Sequence, residues 1–337
     1  MKKLLIWDGD NSLWDGTILE DLEVSITPER AELCQTLRDR GVLQSIASHN
    51  LLQDVLAVIA KYGLEDCFLV PQANLDAPKS VMIKIIMNEL GLVKNEDVVF
   101  VDDEQFNLEE VEKSLPDLCA MRPEYLKYVI EPWFSKETYT DDDRNRVRRY
   151  RSEQDRKKAS TDYQGEYLDF LRQCDMRACV RTPTEQEMDR VIDLIRRANQ
   201  LSLLSAEFSA TTLRTARQNL VACWSKDKFG DNGMVGVAFV IPWDNYTLHT
   251  INILVISCRM QGKGIGSYLL GSILNRISPS EVKATFKATE YNKSMVQLLE
   301  YFGFTPQSNL TTDVDGMLCY GLKAAEPVEL PDWIKPL

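Results

Sequence analysis

The chain has 337 residues, 44% hydrophobic and 27% charged, with a formal net charge of −12. Its length points to two domains, and its acidic balance argues against nonspecific nucleic-acid binding, which needs surplus Lys and Arg. No apolar run approaches the roughly 18 residues of a membrane span, so no membrane partner is expected.

The start, Met1-Lys2-Lys3 and then four apolar residues, is too short for a signal-peptide core. The cysteines at 34, 67, 119, 174, 179, 223, 258 and 319 show no two-residue pairing, and only His49 and His249 could join them. A zinc site is therefore not expected, and reduced thiols in a cytoplasmic protein are.

In chain order, "KLLIW" reads as a strand and "TPERAELCQTLRDRG" as a helix, with Thr27 as cap, Pro28 in its first turn and Gly41 closing it. "VLQSIAS" is a strand, "NLLQDVLAVIAKYGL" a helix, "FLVPQ" a short strand, "PKSVMIKIIMNELGL" a helix and "DVVFVDD" a strand. Such alternation predicts a parallel sheet with helices on both faces, over 1–135. Residues 136–175 interleave acids and bases at helical spacing, predicting an exposed connecting helix. A second α/β pattern runs over 176–325, and 326–337 is a Pro-rich tail expected to be extended.

Ligands of an open parallel sheet bind outside the carboxyl ends of its strands. There the pattern places Asp8 and Asp10 after the first strand and Ser48 at the end of the second. Lys79 starts a helix, and Asp102 and Asp103 follow a further strand. Four carboxylates form a hard oxygen site suited to Mg2+, with Asp8, Asp10, Asp102 and Asp103 as candidate ligands. Asp8 is then the candidate nucleophile on phosphorus and Asp10 the proton carrier, while Ser48 and Lys79 bind phosphoryl oxygens. A lone D-x-D can simply cap a turn; the ordered set argues for chemistry. It resembles the haloacid dehalogenase (HAD) superfamily of phosphoryl-transfer enzymes. The spacings from Asp10 to Ser48 and from Ser48 to Lys79 leave no room for a cap domain, so the site is expected to be open to large substrates.

The second region holds "TINILVISCRMQGKGIGSYLLGSIL": a strand, the loop Gln261-Gly262-Lys263-Gly264-Ile265-Gly266, and a helix. Glycines at a helix start let backbone N–H groups approach a phosphate. The stretch resembles the coenzyme A loop of GNAT acyltransferases, and "NKSMVQLLEYFGF", with Asn292 and Tyr301, is similar to the end of that fold. The combined plan, with "DGDNSLWDG", "FVDDEQFNLEEV" and "ANQLSLLSAEF", resembles the FkbH-like proteins of polyketide biosynthesis. The implied fold is a HAD-like Rossmannoid parallel sheet followed by a GNAT-like α/β domain. The implied task is acyl transfer: a phosphorylated three-carbon donor such as D-1,3-bisphosphoglycerate loses phosphate, and its acyl group passes to the phosphopantetheine thiol of an acyl carrier protein.

On that resemblance Asn199, Gln200, Arg259, Gln261, Gly262, Gly264, Gly266 and Asn292 serve the phosphopantetheine or coenzyme A side, and Cys258 is a candidate acyl relay. Departures from the family pattern are Gly9 and Asp15 in the first motif, His49 where a lysine is usual, and Asn252 where an aspartate is common. The arginines at 144, 146, 148, 149 and 151 could steer an acidic carrier. The residues alone leave two alternatives: a phosphatase joined to a coenzyme A-dependent acetyltransferase, or a carrier-docking scaffold without acyl chemistry.

Overall fold

A computed structural model of the chain describes residues 2–20, 23–135, 139–197, 201–204, 206, 208–243, 246–278, 280–287, 289, 292–307 and 317–337. It divides into two compact units, Met1–Gln154 and Asp155–Leu337.

The first unit runs β1 (Leu4–Trp7), α1 (Pro28–Asp39), β2 (Leu43–Ser48), α2 (Leu52–Lys61), β3 (Gln72–Ala73), α3 (Lys79–Glu89), β4 (Val98–Val101), α4 (Gln105–Ser114), β5 (Cys119–Met121), α5 (Pro123–Phe134) and α6 (Asp141–Arg144), then enters α7 (Arg146–Asp162). Its strands lie in the order β3-β2-β1-β4-β5, and every pairing is parallel. Alternation of side chains divides the core. Leu5, Trp7, Val99 and Val101 pack with α1, α2 and α5 on one face, while Leu4, Ile6, Val98 and Phe100 pack with α3 and α4 on the other. Burial on both faces is why these strands read as unbroken apolar runs.

The expected strand "FLVPQ" contracts to Gln72–Ala73, because Val70 takes a positive φ of 51° and Pro71 has no N–H for a ladder. Helix α1 begins as expected, with the Thr27 side chain accepting from Arg30 N at 3.3 Å. Helix α3 has no local side-chain cap. Glu110 of α4 supplies one instead, accepting from Ser80 N at 3.0 Å and Ser80 Oγ at 2.5 Å. A carboxylate there also suits the positive end of the helix, and this clamp fixes the turn carrying Lys79.

The charged stretch is not one exposed helix but α6, α7 and α8 (Tyr167–Gln173). Within the first unit Arg146 donates to Gly41 O at 2.6 Å, Arg149 pairs with Asp142, and Arg151 meets Asp66 at 3.0 Å. These pairings make burial of the guanidiniums tolerable and leave Arg144 and Arg148 as the exposed arginines of the basic stretch. In the second unit Arg156, 2% exposed, pairs with Asp227 at 2.6 Å.

The second unit continues through β6 (Met176–Arg181), α9 (Met188–Arg197), β7 (Ser202–Leu204), α10 (Ala210–Thr215), β8 (Leu220–Asp227), β9 (Gly230–Trp243), β10 (Leu248–Ile256), α11 (Ile265–Ile277), β11 (Glu281–Lys287), α12 (Lys293–Tyr301), β12 (Thr305–Pro306), β13 (Met317–Leu322) and β14 (Ile334–Pro336). The sheet order is β12-β13-β11-β10-β9-β8-β6-β14. The sheet is mixed: β10–β11 and β14–β6 are parallel and the other pairings antiparallel.

Strand β10 changes partner along one edge. Leu248–Ile251 pair with β11, whereas Ile253–Val255 pair with β7. The break falls at Asn252, a bulge, whose Oδ1 accepts from Thr285 Oγ1 at 3.1 Å. Ile251 and Ile253 consequently enter opposite cores despite their spacing of two, as an extra residue in a strand requires.

The Pro-rich tail is not merely extended. Ile334–Pro336 form the edge strand beside β6, Val328 and Asn275 exchange hydrogen bonds at 2.7 and 3.0 Å, and Trp333 packs against the core.

Candidate functional site

Asp8 follows β1, Ser48 ends β2, Lys79 opens α3, and Asp102 and Asp103 follow β4. The parallel register brings these ends together: Asp8 N donates to Val101 O at 2.7 Å, so the acids after β1 and β4 are neighbours. Lys79 Nζ hydrogen-bonds Asp8 Oδ1, lies 3.6 Å from Asp102 Oδ2, and donates to Ala47 O at 2.8 Å. All three side chains are buried.

Burial is the main reason the Asp8 carboxyl is pushed up to about 7. Lys79 opposes that shift and the Asp102 charge adds to it. Asp103 is also raised, by burial first and then by Asp102. Asp102 is held by donations from Glu104 N at 2.8 Å and Asn107 Nδ2 at 3.1 Å, and Asp103 accepts from Ser12 Oγ at 3.5 Å.

Ligand oxygens of Asp8, Asp102 and Asp103 all lie within 4.8 Å of one another. Carboxylates gathered so closely beside one ammonium are a donor set that fits a hard divalent cation such as Mg2+. Asp10 departs from the expected ligand set. Its Oδ1 accepts from Trp14 Nε1 at 2.8 Å and Ile18 N at 3.1 Å, and its Oδ2 accepts from Asn50 Nδ2 at 2.9 Å. These donors hold the Asp10 carboxylate within the turn after β1, outside the cluster of three. The Trp14 ring lies against Gly9, where a Cβ would sit 2.4 Å from it, so this turn needs glycine. His49 sets its Nε2 3.1 Å from Ala77 O.

In the second unit, β10 leads into a short turn at Cys258–Met260 and then the glycine loop. Gly262 and Gly264 adopt positive φ of 72° and 86°, a region glycine enters without penalty. Gln261 and Gly262 are exposed and Cys258 is half-buried. Lys263 turns inward, its Nζ donating to Arg259 O at 2.6 Å, and Trp333 Nε1 donates to Lys263 O at 3.0 Å. Gly264 lies against that indole, where a Cβ would come within 2.7 Å.

Several residues expected on the acyl side make contacts within the fold. Arg259 is buried, with Nη2 donating to Asn232 O at 3.4 Å. Gly266 is the second residue of α11 and lies against Leu298. Asn292 is buried, accepting from Thr289 N at 3.1 Å and donating to Lys287 O at 3.0 Å, which makes it a brace for the start of α12. Asn199 and Gln200 lie outside the described residues. Sequence reasoning missed Trp14, Asn50, Asn107, Glu110 and Trp333. Trp14, Asn107 and Glu110 lie inside the motifs "DGDNSLWDG" and "FVDDEQFNLEEV", but nothing local marks their partners.

Among the described residues no helix is long and apolar enough to cross a membrane. No family model and no curated protein matches the chain. Among solved structures, the N-terminal part of BF1531 from Bacteroides fragilis, described as containing a phosphatase domain complexed with Mg, is 22% identical with a TM-score of 0.35, over 41% of this chain and 42% of that one. The chain thus spans less than half of that relative's length. The ribosomal-protein-S18-alanine N-acetyltransferase from Escherichia coli is 12% identical with a TM-score of 0.34, over 45% of this chain and 96% of that one. A GNAT-superfamily phosphinothricin acetyltransferase from Sinorhizobium meliloti, in complex with AcCoA, is 17% identical with a TM-score of 0.34, over 45% and 94%.

Proposed function

We propose that the first unit is a Mg2+-dependent phosphoryl-transfer domain. The second unit, on this reading, loads an acyl group onto the phosphopantetheine thiol of an acyl carrier protein. The observation that carries it is the convergence of Asp8, Asp102 and Asp103 within 4.8 Å, beside Lys79, at the strand ends of a parallel sheet. The donor in this reading is a phosphorylated three-carbon acid such as 1,3-bisphosphoglycerate, as the sequence resemblance implies.

Asp8, Asp102 and Asp103 would hold the metal, whose charge would offset theirs and that of phosphoryl oxygens. Lys79 keeps the Asp8 carboxylate oriented. An Asp8 oxygen attacks phosphorus, the bond from phosphorus to the leaving oxygen breaks, and Asp10 supplies that oxygen's proton. A water that yields its proton to Asp10 then cleaves the phospho-aspartyl bond, releasing inorganic phosphate and restoring Asp8.

An acyl phosphate must survive until the thiol attacks it, so hydrolysis is directed at the phosphate ester. In loading, the carrier sulfur bonds to the acyl carbon, the carbon–oxygen bond to phosphate breaks, and the thiol proton passes to solvent. Cys258 can accept the acyl group first by the same exchange and then pass it on.

The test is intact-mass spectrometry of a phosphopantetheinylated carrier mixed with the protein, Mg2+ and candidate donors. A mass increment matching the dephosphorylated acyl group supports the reading; its absence with every phosphorylated donor overturns it. Consumption of acetyl-CoA without carrier loading would instead establish the acetyltransferase alternative. Cys258→Ala should abolish loading while phosphate release survives; undiminished loading would remove Cys258 from the reaction.

A further inference from the structure

Asn50 lies two residues beyond β2 and is 1% exposed. Its Nδ2 donates to both Asp10 Oδ2 and Ser48 Oγ, each at 2.9 Å. The amide nitrogen donates and a carboxylate oxygen accepts, so Nδ2 facing Asp10 matches donor to acceptor. The other end, Oδ1, is buried with no hydrogen-bond partner among the described residues. The fold thus carries an unsatisfied acceptor in order to keep the nitrogen where it is.

The consequence falls on Ser48. A hydroxyl can turn its proton toward any nearby acceptor, and the Asp10 carboxylate shares the same amide nitrogen. With the Asn50 N–H on its oxygen, Ser48 cannot spend its proton in that direction. Ser48 is fully buried, and no acceptor among the described residues takes its proton. Asn50 bridges the hydroxyl and the carboxylate through one nitrogen. It thereby leaves a directed O–H at the strand end next to Ala47, whose carbonyl anchors Lys79.

We infer that Asn50 is a positioning residue, fixing Ser48 as a hydrogen-bond donor to a phosphoryl oxygen while holding the Asp10 carboxylate in place. This rests on the phosphoryl-transfer reading above.

The experiment compares Asn50→Asp, Asn50→Ala and Ser48→Ala in the full chain with Mg2+. Calorimetry measures affinity for inorganic phosphate, KM and kcat are measured for a phosphate monoester, and melting temperature is followed throughout. Aspartate is nearly isosteric with asparagine, but it accepts the Ser48 proton and repels Asp10. Asn50→Asp should therefore weaken phosphate binding about ten- to a hundredfold and more than Asn50→Ala does. A space-filling role predicts the opposite order. Ser48→Ala should match the loss, and combining it with Asn50→Ala should add little, as for residues acting as one unit.

Wild-type phosphate affinity in Asn50→Asp overturns the inference. If that variant does not fold, wild-type affinity and KM in Asn50→Ala overturn it equally. Asp8→Asn separates the layers. If it still turns over, the phosphoryl-transfer reading falls and the inference falls with it. If it is inactive while the Asn50 variants bind phosphate normally, only the inference falls.

Discussion

Replacing Lys79 with Met removes the ammonium that faces two buried carboxylates, with little change in volume. At the 3.6 Å separating Lys79 Nζ from Asp102, and an effective dielectric of ~20, the lost attraction is about 5 kcal/mol. Lys79 was itself desolvated, and its removal recovers part of that sum. A net destabilisation of about 3–5 kcal/mol is therefore expected in metal-free protein, as when one partner of a buried pair is deleted.

The loss should depend on pH. Asp8 already sits at about 7, held down chiefly by Lys79 and less by a backbone hydrogen bond at Gly9. Without the lysine it rises further, so at pH 6 the carboxyl is protonated and the unbalanced charge is smaller than at pH 8. Chemical denaturation followed by fluorescence, to which the buried Trp7 and Trp14 of this unit contribute, measures the loss. The expected results are a large loss in chelator at pH 8, a smaller one at pH 6, and partial recovery with saturating Mg2+. A variant within about 1 kcal/mol of wild type at pH 8 without metal, below the usual cost of a broken buried pair, would refute the reasoning.

Three further outcomes are expected. Gly9→Ala pushes a methyl to 2.4 Å from the Trp14 ring and 2.8 Å from Ser48 Oγ. It should cost about 1–3 kcal/mol by urea denaturation, and an unchanged midpoint would show that the turn has slack. Gly264→Ala combines φ of 86° with a 2.7 Å approach to Trp333; it should lower the melting temperature of the second unit, and no change would mean the loop relaxes freely. Glu187 is held down at about 2, chiefly by hydrogen bonding with Arg181, and bonds Thr184 N at 2.7 Å. Its folded value lies below its ordinary 4.5, so its contribution is complete above pH 4.5 and disappears as pH falls toward 2. For so exposed a pair the effect is about 1 kcal/mol or less; wild type and Glu187→Gln should differ above pH 4.5 and converge toward pH 2, and parallel melting curves would refute it.

What could be read from the sequence was what repeats or what ends a strand. Unbroken apolar runs announced the parallel sheet, and the acids after Trp7 and Val101 followed from the position of those runs. Asp10 shares its motif with Asp8, but its partners Trp14, Ile18 and Asn50 are set by a turn and a separate strand end, which spacing along the chain does not show. Asn50 left no trace: one asparagine after "SH" looks like ordinary loop chemistry. The charged helices misled for a related reason. Arg146 reaches Gly41, and Arg156 reaches Asp227 across 71 positions, and interleaved charge says nothing about such distant partners. A Pro-rich composition marks the tail as extended, which an isolated segment and an edge strand share, so composition does not show its pairing with β6.

The pairing of Ile334 with Met176 has a bearing on how the second unit comes into being. A contact spanning so much intervening chain is among the last to form, since closure entropy opposes it until the intervening strands are assembled. During ribosomal synthesis, β6 must wait for almost the whole unit to emerge before its outer edge is covered. In that interval it offers unpaired amides and carbonyls to any passing strand. Slow translation of the last residues, or mutations that loosen Trp333, would therefore register first as aggregation of nascent protein.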